Sequence, residues 1–431
     1  MSVPKVNWQL HKVFTQYAGL PRAVYVLFFA RIINRMGDFV HFFLTLFLTQ
    51  KMGMSEGKTG TFLMLVSFSR MAGSVFSGKL GDHIGRKRGM VFFLACFALT
   101  LTFTGFVVES MLTPYMLILA GFFNGGERPL NNTIVTDLTR GEQRNKAFSL
   151  LYLGINIGVA IGPMIAGFLF NRFIRWIFWG DAITSLIAIL LIVAYVPESR
   201  PSAEELEESK KDPSSKERAE EGGTIGAFLR RPVLALSTLL MILSGFIYSQ
   251  HAFALPLHLD QLFGRESARL FGLIMSSNAV YVLLFTTLIL YLTKKINPLK
   301  STALGALLYA GGFGMIFFLE DFYLFFLSTL IWTLGEIITM VNYNVFIASH
   351  TPISHRSRFN GLLQVILGMG FAVGPFLAGL FVDLFGTHDI WLVVSALGVV
   401  VYFGFLALAA WEKKRAAAEV LESPTEKNPS I

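Results

Sequence analysis

Apolar stretches of about twenty residues recur along this 431-residue chain. One of them, IWLVVSALGVVVYFGFLALAAW (390–411), holds no charged side chain at all. That length, at about 1.5 Å of rise per residue, is what a helix needs to cross the hydrocarbon core of a bilayer. No water is available there, so every backbone N–H and C=O must be bonded within the segment, and helices satisfy that demand. Only 15% of the residues are charged, against about a quarter in a soluble domain. The chain is therefore expected to be an all-α polytopic membrane protein of twelve transmembrane helices. The spans fall at 23–50, 57–80, 89–110, 113–137, 147–171, 176–197, 231–260, 266–293, 299–319, 322–348, 358–383 and 388–411.

The segments between the spans order this pattern. Residues 198–230, with ESRPSAEELEESKKDPSSKERAEEGG at their start, are charged and cannot build a core, so they read as a solvated linker. The linker separates an N-terminal bundle (23–197) from a C-terminal bundle (231–411), and tails at 1–22 and 412–431 flank them. With the N-terminus inside, cytoplasmic segments carry 26 Lys and Arg and the outer loops 6. That bias puts linker and both tails in the cytosol. The compact size and short loops suggest a bacterial inner membrane. The net charge of +8 is spread over these segments, so no nucleic-acid partner is expected. The lone Cys96 excludes an intramolecular disulfide framework or a cysteine-rich metal site, and no metal or cofactor is expected. No HExxH or paired CxxC occurs, so the chain does not read as an enzyme.

The bundles repeat each other. RNKAFSLLYLGINIGVAIGPMIAG (144–167) aligns with RSRFNGLLQVILGMGFAVGPFLAG (356–379) at a constant offset of 212. Arg144 then matches Arg356, Gly162-Pro163 matches Gly374-Pro375, and Gly167 matches Gly379. Parallel six-helix repeats are a transporter architecture, with the cargo site near the midplane between the two pseudo-symmetric bundles.

Charges inside the spans point the same way. In ARIINRMGDFVHFF (30–43), Arg31, Arg35 and Asp38 share one helix face, with Asn34 and His41 beside it. Arg31 lies about 12 Å and Asp38 about 22 Å along the span, too deep to reach the cytosolic surface easily. Arg70 sits mid-way in span two, Glu127 and Arg128 in span four, and Glu336 in span ten, while span seven adds Tyr248, Gln250 and His251. Such groups mark cargo or proton paths, or else an Arg–Asp pair that fixes helix packing. Asp38, Glu127, Glu336 and His251 are the candidates for proton coupling, Glu336 first because no Arg lies within one turn. Arg31, Asn34, Arg35, Arg70, Arg128, Gln250 and Asn342 are the candidates for cargo binding. Four intramembrane arginines against Asp38 and Glu127 leave an excess of two positive charges in the first bundle. A cargo with a carboxylate or phosphate would balance it.

GKLGDHIGRKRG (78–89), between spans two and three, resembles the signature loop of the major facilitator superfamily. Gly78, Leu80, Asp82, Gly85, Arg86 and Lys87 match; His83 stands where the family has Arg or Lys. The resemblance covers about Arg22 to Trp411 and implies a secondary transporter whose bundles rock about a central site. It implies too that Asp82 and Arg86 hold the cytoplasmic side shut with Asp137, at the end of span four. GVAIGPMIAG (158–167) is similar to an antiporter-associated motif at Gly158, Gly162, Pro163 and Gly167, with Ala166 in place of a glycine. The motif pattern as a whole resembles that of drug:proton antiporters. The span-four Arg usual in those proteins is absent, since Gly121 stands at its position. The expectation is proton-coupled efflux of drugs or amphiphilic, anionic small molecules by a monomer embedded in lipid. The alternatives are uptake of a peptide or organic anion, and a membrane sensor that binds ligand without moving it.

Overall fold

A computed structural model describes residues 17–199, 228, 231–350 and 356–422. The expected linker and tails lie largely outside these residues. Every regular element among them is helical: α1 (Arg22–Met36), α2 (Phe39–Leu46), α3 (Glu56–Ile84), α4 (Arg86–Phe106), α5 (Thr113–Leu138), α6 (Gly141–Arg172) and α7 (Ile174–Tyr195). Then follow α8 (Pro232–Ser249), α9 (Ala254–Phe263), α10 (Ser267–Thr293), α11 (Pro298–Gly314), α12 (Phe322–His350), α13 (Arg356–Phe385) and α14 (Ile390–Glu422). Among the described residues, eight stretches are long and apolar enough by themselves to cross a membrane. The α1–α2 pair, α3 and α5 fall outside that set, and they carry Arg31, Arg35, Asp38, Arg70, Glu127 and Arg128. Large apolar side chains such as Leu99, Leu190, Leu284 and Leu384 are exposed, as a lipid solvent allows.

Two spans expected to be continuous are interrupted. The first breaks at Gly37–Asp38 and ends in a π-helical turn, Phe47–Lys51. Asp38 takes the N-cap position of α2 without capping it, because Arg35 engages its carboxylate. Span seven breaks at 250–253, between α8 and α9. Helix interruptions at membrane depth are tolerated where protein or a water-filled cavity receives the freed backbone groups.

The chain forms two compact units. The first takes in residues 1–213, 250–283 and 375–387. Its apolar core joins Val24 and Leu27 of α1, Phe93 and Leu94 of α4, Ile134 of α5, Leu150 of α6 and Ile192 of α7. Glycines let α6 lie directly on α1. A Cβ on Gly158 would stand 2.7 Å from the Arg35 Cβ and from the Ile32 carbonyl oxygen, and one on Gly162 2.6 Å from that of Met36. Two further crossings in this unit obey the 212-residue offset. A Cβ on Gly167 would meet the Ala268 carbonyl oxygen at 2.8 Å, and one on Gly379 would meet that of Glu56 at 2.6 Å. Likewise Gly272 abuts the Pro163 carbonyl, and Gly60 that of Pro375. Beside the last crossing the Gly57 N–H donates to Asp383 Oδ1 at 3.0 Å, and Gln50 Nε2 donates to Asp260 Oδ1 at 2.7 Å.

The second unit takes in 214–249, 284–374 and 388–431. Phe313 of α11 stacks between Trp332 of α12 (centroids 5.4 Å) and Trp391 of α14 (6.2 Å). Here α13 meets α8 as α6 meets α1. A Cβ on Gly370 would lie 3.1 Å from the Gly245 Cα, and Gly374 abuts Ser249.

Gly158→Ala is expected to destabilise the protein by about 1–3 kcal/mol, because neither Arg35 Cβ nor the α1 backbone can yield. Gly78→Ala, with nothing within 4 Å of its added Cβ, should be neutral or add up to about 1 kcal/mol of helix preference. Thermal unfolding in detergent compares the two. Equal effects would contradict the close crossing.

Candidate functional site

Arg31 of α1 reaches Glu127 of α5 through Nη1, at 2.9 Å from Oε1 and 2.7 Å from Oε2. Both side chains are buried, at 3% and 8% exposure. One turn on, Arg35 Nη1 donates to Asp38 Oδ2 at 2.7 Å, across the interruption between α1 and α2. The break places the two groups three residues apart and facing. Arg70 of α3 donates through Nη2 to His41 Nδ1 at 3.4 Å. Asp38, Val40, His41, Arg70 and Asn124 bound a cavity inside the first unit, closed on its far side by apolar residues of α4 and α5. Arg128 is exposed.

Burying two charges costs more than their attraction returns unless the geometry is good, and removing one partner leaves the other stranded. Arg31 and Glu127 meet that condition with two hydrogen bonds. Their pairing accounts for an arginine and a glutamate in the same dry bundle, and it occupies both groups before any cargo arrives.

Other expected site residues are spent differently. Asn34 donates to Ser185 Oγ of α7 at 3.2 Å, so it joins helices. Asn342 is buried and donates to Thr293 Oγ1 and the Ile338 carbonyl, which directs its amide into helix packing instead of toward cargo. Gln250 and His251 occupy the interruption after α8, Gln250 fully buried and His251 partly so. Glu336 is half-buried in the second unit, in the field of the buried Tyr309.

At the signature loop, α3 runs through Gly81 to Ile84, and the turn rests on Gly85 alone, at φ +104°. Arg86 Nη2 lies 3.1 Å from Asp82 Oδ1 and its Nε 3.6 Å from Asp137 Oδ2. Asp82 is largely exposed, and Ser199 Oγ donates to Asp137 at 3.0 Å. Arg144 Nη2 caps the end of α5, donating to the Thr136 and Thr139 carbonyls at 3.0 Å each.

Two acids escaped the sequence reading. Glu198 accepts from the Lys87 and Arg88 backbone N–H groups at 3.1 and 3.3 Å, and so caps α4. Asp181 of α7 is 1% exposed. It brings the first bundle to three intramembrane carboxyl groups against four arginines, so the excess falls from two positive charges to one when all three are ionised. In FWGDAITS (178–185) it reads as an interfacial acid beside Trp179. Only the position of the break in another span reveals its surroundings.

The family model of the Major Facilitator Superfamily matches residues 27–355 and 252–430. This chain belongs to that superfamily. Membership makes it a membrane transporter of small molecules and not an enzyme. An uncharacterized MFS-type transporter, YqjV of Bacillus subtilis (strain 168), is 25% identical over 382 residues, spanning 86% of this chain and 89% of its own. A Na(+), Li(+), K(+)/H(+) antiporter of Planococcus maritimus is 23% identical over 401 residues, spanning 88% and 93%. The crystal structure of the nucleoside transporter NupG shares the fold at a TM-score of 0.70 and 15% identity, over 90% of this chain and 99% of that one.

Replacing one member of the buried pair, by Arg31→Met or Glu127→Leu, should cost this transporter about 3–5 kcal/mol. The double variant should cost far less than the sum. Unfolding in detergent measures the cycle, and additive costs would contradict a pair that matters to the bundle.

Proposed function

We propose that the chain is a proton-coupled exporter that works by alternating access on drugs or amphiphilic small molecules. In this reading it is a monomer with twelve spans in two six-helix bundles (23–197 and 231–411), both tails in the cytosol of a bacterial inner membrane. The observation that carries the reading is the Arg35–Asp38 pair at the interrupted first span, held at 2.7 Å and one turn from Arg31–Glu127. An ion pair across a helix break is a bistable element. Protonating a carboxylate releases an arginine, and the freed arginine can accept an anionic group of the cargo. With Asp181 ionised, one net positive charge remains in the first bundle, and a cargo with a single anionic or zwitterionic group fits those electrostatics.

Arg86, Asp82 and Asp137 serve in this reading as the cytoplasmic latch, with Gly85 as its turn. The carboxylate of Glu198 on the start of α4 ties that turn to the end of α7. Asp137→Asn would loosen the latch and shift the balance of conformations without touching the intramembrane charges.

One observation favours a second reading, exchange of protons for alkali cations: the antiporter relative, so named, aligns over 88% of this chain. One assay separates the two. Everted vesicles containing the protein, with an imposed proton gradient and a quenched acridine dye, receive lipophilic cations, carboxylates, lysophospholipids, Na+ or K+ in turn. Export of an amphiphile predicts dye recovery with organic cargo alone, lost in Asp38→Asn. Recovery with Na+ or K+ alone supports the cation exchanger, and no recovery with any of them sinks both readings.

A further inference from the structure

Asp181 lies at the interrupted first span and has no part in the ion pairs above. Its side chain is 1% exposed, and Oδ2 has no hydrogen-bond partner. The hydroxyl of Thr184, one turn on, donates to the main-chain oxygen of Asp181 at 3.0 Å and not to the carboxylate. That same hydroxyl fills the space above Gly37, where a Cβ would collide with it. So α7 is pressed against the break, with a carboxyl group at the contact. The charges whose fields act on it are Asp38 and Arg35 at the break and Arg70 from α3, and it accepts from the backbone N–H of Val40 in the first turn of α2. The other helices packed on α7 are α4 and α6, and they carry charge only near their ends: Arg86, Lys87 and Arg88 on one, Glu142, Arg144, Lys146 and Arg172 on the other.

A buried carboxyl with an unused oxygen is costly unless something intermittently uses it. We propose that Asp181 is the group that takes up and releases the coupling proton, with Arg35 as its exchangeable partner; this rests on the proton-coupled reading given above. In the arrangement seen, Arg35 is committed to Asp38 and Asp181 holds the proton on its free oxygen. Release breaks the O–H bond, leaves the electron pair on Asp181 and passes the proton to water in the cavity that Asp38 and Val40 border. The new negative charge draws Arg35, whose Nε has no partner, away from Asp38. Either carboxylate can then hold the arginine, but not both, and the break between α1 and α2 changes its connections with each proton.

The test is an infrared difference spectrum, acid minus alkaline, of the full-length protein in phosphatidylethanolamine/phosphatidylglycerol liposomes without cargo. The expected result is a protonated-carboxyl C=O band that shifts on 13C-aspartate labelling, persists in Asp38→Asn and is lost in Asp181→Asn. Asp181→Glu should restore a band that now shifts with 13C-glutamate. A band that is absent, that shifts only with 13C-glutamate in the unmutated protein, or that survives Asp181→Asn overturns the assignment. Should Asp181→Asn fail to fold, Asp181→Glu still decides: the band must then shift with 13C-glutamate, and a band that keeps its 13C-aspartate shift in that variant overturns the assignment. A band assigned to Asp181 in a protein that shows no cargo-driven proton flux would overturn the transport reading alone.

Discussion

The ion pair between Arg35 and Asp38 depends on a helix that stops at Met36 and restarts at Phe39. Much of the first unit is arranged around that interruption. Gly37 lets α7 approach until Thr184 fills the missing side chain's place, and Gly158 lets α6 lie against the Arg35 Cβ. A bilayer does not forgive unsatisfied polar groups, so the break is closed in by protein from two sides. Arg31 and Arg35 are matched to Glu127 and Asp38 in short contacts, and Asp181 stands where the match is incomplete.

The repeat explains how such a site is framed. Glycine pairs at an offset of 212 make equivalent crossings, α6 on α1 in one unit and α13 on α8 in the other. The crossings of α6 with α10 and of α3 with α13, all within the first unit, follow the same offset. Where side chains are small, backbones approach closely and packing substitutes for the hydrophobic drive that lipid removes. Charge does not follow the repeat. Away from their ends, the first six spans hold four arginines and three carboxyl groups, Asp38, Glu127 and Asp181, and this asymmetry separates scaffold from chemistry.

Much of this was legible beforehand. Apolar stretches gave an all-helical membrane chain, and eight of them among the described residues are long and apolar enough to cross a bilayer by length and composition alone. The match of Arg144–Gly167 to Arg356–Gly379 gave the glycine crossings, because backbone contact demands the same residue in both copies. Arg31, Arg35 and Asp38 were readable as a face, and the Arg86–Asp137 approach followed from the signature loop. The two breaks were not readable: Gly37 is one glycine among 39, and residues 250–253 carry no turn signal. The partners were hidden as well. Nothing in local spacing joins Arg31 to Glu127, 96 residues away, or brings Asp181 to the first span. Asn34 and Asn342 show the converse, polar residues at membrane depth that bond neighbouring helices.

The central claim is that Arg35 is shared between Asp38 and Asp181 at the break. A double-mutant cycle on Arg35 and Asp38, measured by unfolding in detergent and repeated with Asp181→Asn, tests it most directly. The account predicts a favourable Arg35–Asp38 coupling that weakens as rising pH ionises Asp181, and that no longer weakens on raising the pH once Asp181 is replaced, because its competitor is gone. A coupling with the same pH dependence in both backgrounds would contradict it.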